Sequence, residues 1–310
     1  MQLPLEKNNK KVVQTKAADI NRRKRWITPK SAPYIFIAPT VILLIIFTLY
    51  PIVSSFLLSF KTKIAGQYVF SGFHNYIRLF HDPVFYKSLV NTFEILIIQV
   101  PIMIFLALII AVLINSPIVK LNALFRISFF MPAITSLVAA SLVFMILLDN
   151  NTGLVNYLLS LMGIHKIAWL TQPFWAKVSI IILMSWRWIG YNMVIFLAGL
   201  QGIGQDLYEA ASIDGAGKVR QFFSITLPQL KPIFVFTVVL STIGTLQLFD
   251  EPYILTGGGP SNATMTITLY LYQNGFKYFD FGYASAIAYV LVIITAILSW
   301  IQLKWAGDKD

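Results

Sequence analysis

Six stretches of this chain, at residues 34–60, 89–114, 124–148, 174–200, 233–255 and 281–303, are predominantly apolar. Each exceeds the about 20 residues that a helix needs to cross a bilayer. In hydrocarbon every backbone N–H and C=O must find a partner within the protein, and an unbroken apolar run of this length does so as a helix. The composition agrees: 57% of residues are hydrophobic and 12% are charged, against about 25% charged in a soluble domain. The expected fold is an all-α membrane protein with six transmembrane helices and no soluble domain between them. Prolines at Pro39, Pro51, Pro101, Pro132 and Pro252 mark expected kinks in the first, second, third and fifth spans. The chain has no cysteine, which excludes disulfides, thiolate metal sites and cysteine nucleophiles.

The net charge is +11, and its placement argues against nucleic acid as a partner. Nine of the 24 Lys and Arg lie in the first 30 residues, including Arg22-Arg23-Lys24-Arg25 just before Trp26. A basic cluster ahead of a span reads as a cytoplasmic retention signal in contact with anionic membrane lipid. Residues 1–30 are otherwise polar and aperiodic, a basic cytoplasmic tail ahead of a six-helix domain over 31–310. They do not read as a signal peptide, because the following apolar run is too long and no small-residue cleavage site closes it. With the N-terminus inside, the cytoplasmic segments hold sixteen Lys and Arg and the opposite loops hold six. Both termini are therefore expected in the cytoplasm, as is the loop at about 201–230 between the fourth and fifth spans.

That loop has the character of a docking element. Leu207, Tyr208 and Ala211 fall at helical spacing and give one apolar side. Ala210 and Ala211 keep the surface low, and Gly215 suits the left-handed residue that ends a helix. Glu209 is the one carboxylate in the helix body, with Asp206 near the N-terminus, where the dipole favours an anion. A second amphipathic piece (Phe222, Phe223, Ile225) is expected to end at Pro228, completing a helix-turn-helix on the membrane face. The run Asp214-Gly215-Ala216-Gly217-Lys218 is no phosphate loop. Ser212 stands where that motif needs glycine, and Val219 where it needs Ser or Thr.

From Glu209 to Pro228 the sequence resembles the EAA loop of permease subunits in binding-protein-dependent type I ABC importers. The signature is Glu-Ala-Ala, three residues, Gly, nine residues, Ile, one residue, Leu-Pro. Glu209, Ala210, Ala211, Gly215, Ile225, Leu227 and Pro228 meet every position. Further matching positions are Asp82, Phe85, Asn91-Thr92, Pro101, Arg126, Pro132, Gly153, Asn156 and Trp169-Leu170. Others are Leu197 to Gln201, Leu255 to Pro260 and Gly282-Tyr283-Ala284, so the likeness covers about 31–305. Gly204 stands where the family commonly has proline. The Gly258-Gly259-Pro260 turn after the fifth span resembles the carbohydrate-uptake, maltose-importer-like branch.

The resemblance implies an ATPase-coupling surface at Glu209, Ala210, Ala211, Asp214, Gly215, Leu227 and Pro228, with Glu209 facing a basic residue in a cleft of the ATPase. It implies a second homologous permease, an ATPase dimer, an extracytoplasmic solute-binding protein and a carbohydrate substrate, in a bacterial plasma membrane. ATP and Mg would be bound by the partner ATPase, so this chain is expected to hold no cofactor or metal and to be no enzyme.

Within the membrane, Arg187 stands between Trp186 and Trp188 midway along the fourth span. An arginine there costs about 2.5–3.5 kcal/mol on insertion scales, so it should face the bundle interior or a wet cavity. Two readings compete. Arg187 lies in the solute path, with Tyr191 and Asn192 offering contacts to sugar hydroxyls; or it holds helices together by a salt bridge to Glu94, Asp250 or Glu251. The family resemblance adds Thr245, Gln247 and Asp250 to the path, by their position before the glycine turn. Residues 73–80 have aromatic and aliphatic residues on one side and are expected to form an interfacial helix. His74, His81 and His165 lack metal-ligand spacing. The alternative function is an ion-gradient-driven secondary transporter, which would need ionisable groups in several spans; Glu94 and Arg187 are nearly alone.

Overall fold

The computed structural model describes residues 30, 32–116 and 119–307. The basic tail expected over 1–30 thus lies outside the described residues, apart from Lys30. Two compact units meet in the chain after Ser55. In the first, α1 (Ala32–Leu44) passes through a π-helical turn, Ile45–Leu49, into α2 (Tyr50–Ser59). The Tyr50 N–H donates to the Ile45 carbonyl five residues back. The wide turn lies just ahead of Pro51, which has no N–H to give to the regular ladder. Ala32–Ser59 is apolar over a spanning length.

The second unit takes in the end of α2 from Phe56 and continues with an element that the sequence did not announce. Strands β1 (Lys61–Ile64) and β2 (Gln67–Phe70) pair antiparallel, with Ile64 opposite Gln67. Ala65 and Gly66 between them both have positive φ, 48° and 85°, as a two-residue hairpin turn requires. The chain is therefore mostly rather than wholly helical. The expected interfacial helix follows as α3 (His74–Phe80). It exposes Phe73, Ile77 and Phe80 and buries Asn75 and Leu79. Asn75 Nδ2 donates to the Ser59 and Lys61 carbonyls, both at 2.9 Å, and so ties α3 to the hairpin.

Three long helices run unbroken through this unit: α4 (Pro83–Asn115), α8 (Pro173–Gln201) and α15 (Phe281–Gly307). Pro101 lies inside α4 without ending it. Met103, Ala107 and Ala111 of α4 form one core with Met193, Phe196 and Leu200 of α8. The small alanines allow the close helix approach by which membrane helices associate.

The third expected span is not one straight helix. It divides into α5 (Asn122–Ile134) and α6 (Leu137–Leu147), bent by 95°. Thr135 and Ser136 are extended at the corner, with ψ of 143° and 127°, just past Pro132. The expected six helices thus become five of spanning length among the described residues, or six if the bent pair is one span. After α6 a short helix, α7 (Leu154–Leu161), leads to α8. Beyond α8 come α9 (Gln205–Ile213), α10 (Lys218–Gln221) and α11 (Leu227–Gln229). The fifth span is α12 (Lys231–Leu246), a break, and α13 (Asp250–Leu255). The last short helix, α14 (Ile267–Tyr272), packs into a core with Leu79, Phe85, Leu246, Tyr283 and Ile287.

Candidate transport pathway and docking face

The break in the fifth span follows from Pro252. In a continuous helix the N–H of residue 252 would serve the Leu248 carbonyl, and proline has none. The helix instead stops at Leu246 and restarts at Asp250, which places Pro252 in a first turn, where no donor is needed. The freed carbonyls find other donors. Thr266 Oγ1 donates to Leu248 O at 2.7 Å and Thr268 Oγ1 to Leu246 O at 3.3 Å. Non-helical backbone at membrane depth is tolerated where it is buried in protein or lines a cavity.

Here it lines one. A cavity of about 280 Å³ lies between α4, α8 and the broken span, walled by Gln99, Met103, Met184, Trp188, Ser241, Phe249 and Glu251 among others. Of the expected solute-path residues, Tyr191, Asn192, Thr245, Gln247 and Asp250 all line it. Gln247 and Asp250 are exposed. Asn192 Nδ2 is turned inward, donating to Trp188 O at 3.0 Å and Met103 Sδ at 3.3 Å. Thr245 Oγ1 donates to Ser241 O at 2.9 Å and Gln99 Oε1 at 3.2 Å, joining the second and fifth spans. Gln99 is only 1% exposed. Sequence reasoning passed over Gln99 and gave Glu251 only a pairing role. The available signal was the amide of Gln99 in the middle of the apolar run 89–114.

Arg187 does not line the cavity. Its Nε and Nη1 are buried without a hydrogen-bond partner, and its guanidinium carbon lies 5.4 Å from the Trp188 ring centroid. The expected partner Glu94 is held by Lys177 instead. Among the described residues no carboxylate comes within ion-pair distance of Arg187; Glu251, on the cavity wall, is 4% exposed.

The glycine turn beyond the fifth span is built from backbone. Gly257 and Gly258 have φ of 60° and 91°, and a Cβ on Gly258 would come within 2.7 Å of Met265 Cε. Asn91 Nδ2 donates to the Asn262 and Met265 carbonyls and Lys87 Nζ to Ser261 O, fastening this turn to α4. Nearby, Asp82 caps α4 by accepting from Val84 N and Phe85 N. Its other oxygen accepts from the Tyr270 and Tyr283 hydroxyls. Burial alone would raise the Asp82 carboxyl, but these four donors together hold it below its usual value. Burial first, then Asp82 itself, pushes Tyr270 up to about 12. Arg78 lies 3.9 Å over the Tyr283 ring and pairs with Asp280 at 2.7 Å. Asn156 receives N–H groups from Ile167 and Trp169 and donates to the Asn150 and Ile167 carbonyls, a closed staple across its loop. His81 Nδ1 is bonded to Ile77 O, and no metal-holding cluster occurs among the described residues.

At the other end, α9 carries the expected docking residues. Gly204, with φ of −59°, precedes its first turn. The helix closes with Ala216 N donating to Ala211 O at 2.8 Å and Gly215 N to Ser212 O at 3.1 Å. With Gly215 at φ 78°, this is the Schellman arrangement. The Tyr208 hydroxyl meets Thr226 Oγ1 at 2.8 Å, and Gln221 Nε2 donates to Ser212 Oγ and Ala216 O. α9 is thus braced against the second piece. That piece does not end at Pro228, as expected. Pro228 falls in the first turn of α11, after a π-turn, Phe222–Thr226, in which Leu227 N donates to Phe222 O. Glu209, Ala210, Asp214, Gly215 and Pro228 are exposed; Ala211 and Leu227 are half-buried. Among the described residues Glu209 has no ion-pair partner. Ile213 is 87% exposed, and Leu207, Val219 and Phe223 are exposed beside it.

A helical membrane bundle, interrupted around a cavity of mixed polar and apolar lining and bearing a braced acidic helix at its surface, defines the transmembrane subunit of a transporter. Comparison with known proteins gives the family. Residues 84–303 match the binding-protein-dependent transport system inner membrane component, and the chain belongs to this family as a multi-pass membrane protein. It is 47% identical over 281 residues to the lactose transport system permease protein LacF of Rhizobium radiobacter, covering 89% of this chain and 94% of the relative. It is 38% identical over 288 residues to the arabinooligosaccharides transport system permease protein AraP of Bacillus subtilis (strain 168), covering 92% of each. Among solved structures, a bacterial ABC transporter involved in the import of the acidic polysaccharide alginate shares the fold. Its TM-score is 0.80 at 24% identity, over 89% of this chain and 95% of the other. The alginate transporter in complex with its pentasaccharide-bound periplasmic protein matches at TM-score 0.76 and 25% identity, over 89% and 92%.

Proposed function

We propose that this chain is the permease subunit of an ATP-driven ABC importer that takes a sugar or oligosaccharide across a bacterial plasma membrane. A solute-binding protein delivers the sugar from outside, and a second homologous permease completes the pathway. The relatives named for lactose and arabinooligosaccharides support the carbohydrate class. The cavity at Tyr191, Asn192, Thr245, Gln247 and Asp250 is the solute path, and Arg187 supports its wall from behind. Both termini and the loop at about 201–230 face the cytoplasm, in keeping with the excess of Lys and Arg on that side.

The observation that carries the mechanism is the exposed, unpaired Glu209 on a helix braced by Tyr208 and Gln221. A rigid helix with an uncompensated carboxylate and exposed apolar neighbours suits the cleft of an ATPase dimer, with Glu209 set against a basic residue. Ala210, Ala211, Asp214 and Gly215 let the cleft close over it, and Leu227 and Pro228 seat the second piece. ATP and Mg belong to the ATPase. Closure of the ATPase dimer moves α9, and the two permeases swing between inward and outward access. Truncating one partner of a buried interfacial charge pair costs about 2–5 kcal/mol. Glu209→Ala in the reconstituted complex should therefore release the ATPase or uncouple its hydrolysis from uptake. Wild-type uptake and sugar-stimulated hydrolysis in that variant would refute the reading.

A further inference from the structure

We infer that the cavity at the broken fifth span selects uncharged saccharides over anionic ones; this rests on the carbohydrate reading above and adds the charge of the solute. Two carboxylates, Asp250 and Glu251, stand on the cavity wall, and no lysine, arginine or histidine does. Asp250 is exposed and unpaired among the described residues. Arg187 is the one cation expected from the sequence to pair with these carboxylates. It is off the wall, beside Trp188, and makes no ion pair among the described residues. Even with Arg187 set against Glu251, Asp250 leaves the wall negative.

The remaining polar groups are amides and hydroxyls of Gln99, Asn192, Ser241, Thr245 and Gln247, which suit a polyol. Sugar hydroxyls donate to a carboxylate in strong charge-assisted bonds. Trp188, Tyr191 and Phe249 offer the apolar faces on which a ring's C–H side can rest. A uronate or sugar phosphate would bring a second negative charge towards Asp250 with no cation to meet it. That repulsion, with no compensating cation on the wall, acts against the anion and not against the neutral sugar. At about 280 Å³ the cavity is just smaller than the usual ligand site of about 300–1,000 Å³, so the charged group could not stand far from the carboxylate.

The test measures binding to the purified permease–ATPase complex without its binding protein, so that the binding protein's own preference does not enter. Saturation-transfer NMR would compare lactose, maltose and arabinobiose with disaccharides of equal size bearing uronate rings. Neutral sugars should bind at least about tenfold more tightly than uronates, and Asp250→Asn should close most of that gap, with Glu251→Gln as a second variant should the first not assemble. Uronates binding as well as neutral sugars, or a gap that neither variant changes, would overturn the charge selection and leave the carbohydrate reading standing. Binding of neither class would instead overturn the carbohydrate reading at this cavity.

Discussion

Thr266 Oγ1 donates to the Leu248 carbonyl at 2.7 Å, supplying the hydrogen bond that Pro252 withholds. One hydroxyl from a later segment thereby stabilises the interruption on which the cavity depends. The same oxygen accepts from Leu269 N at the start of α14. Thr266→Val keeps the shape and removes both bonds. Leaving a buried carbonyl unsatisfied costs about 1–3 kcal/mol, so the complex should melt at lower temperature and saccharide binding should weaken. Thr266→Ser, which retains the hydroxyl, should recover most of both. A thermal melt of the purified complex beside the same binding assay distinguishes the three proteins.

Gly190 is where α5 rests on α8: a Cβ there would overlap the Phe129 carbonyl oxygen, which is backbone and cannot rotate away. Forcing extra volume into a packed contact costs about 1–3 kcal/mol. Gly190→Ala should therefore lower the melting temperature and the yield of folded protein. Gly244, which has open space around its missing Cβ, is the matched control, and Gly244→Ala should leave the melting temperature near that of the parent.

The apolar runs disclosed most of the spans because burial in hydrocarbon acts on each segment separately. The helix α9 itself, Gln205–Ile213, was legible for a similar reason. Its spacing, its mid-helix carboxylate Glu209 and its Gly215 stop are local, and Gly215 does take the left-handed conformation. What escaped were features decided by distant residues. The sequence marks Pro132 and Pro252 as kinks, while the bend falls at Thr135–Ser136 and the break at Gln247–Phe249. Thr266, well beyond the span, helps to hold the latter. Arg187 invited a partner in Glu94, but Lys177 occupies that carboxylate. Tyr191, Asn192, Thr245, Gln247 and Asp250 come together on one wall only through the packing of α8 beside α12 and α13. Lys61 to Phe70 alternates too briefly to stand out from the apolar span before it.

Asp82 sets the pH dependence at the end of α4. Burial opposes its ionisation, but the hydroxyls of Tyr270 and Tyr283 and the amides of Phe85 and Val84 prevail, and its folded pKa lies below the ordinary value. A depressed carboxylate contributes stability that is present above the unfolded pKa of about 4 and is lost as pH falls through the lowered folded value. The melting temperature should thus decline on acidification below about pH 4, and Asp82→Asn should flatten that decline while lowering stability at neutral pH. Tyr270, raised to about 12, acts at the other end. Its contribution is present below about pH 10 and disappears between there and its folded value. Melting curves across both limbs check the assignment.

Gly204 precedes α9 with φ of −59°, within the range a proline ring imposes. Its N–H makes no hydrogen bond among the described backbone bonds, so proline would forfeit no partner there. A Cβ would meet only the Asp206 carboxylate, the far end of a flexible side chain. Replacing glycine by proline where the backbone already fits stabilises by about 0.4–1 kcal/mol, chiefly by restricting the unfolded chain. Gly204→Pro should therefore raise the melting temperature slightly and stiffen the approach to α9. If α9 transmits motion from the ATPase, a stiffer entry should leave sugar-stimulated hydrolysis and uptake coupled at the parent ratio or above it. A fall in that ratio with unchanged assembly would mean that the glycine serves as a hinge in transport.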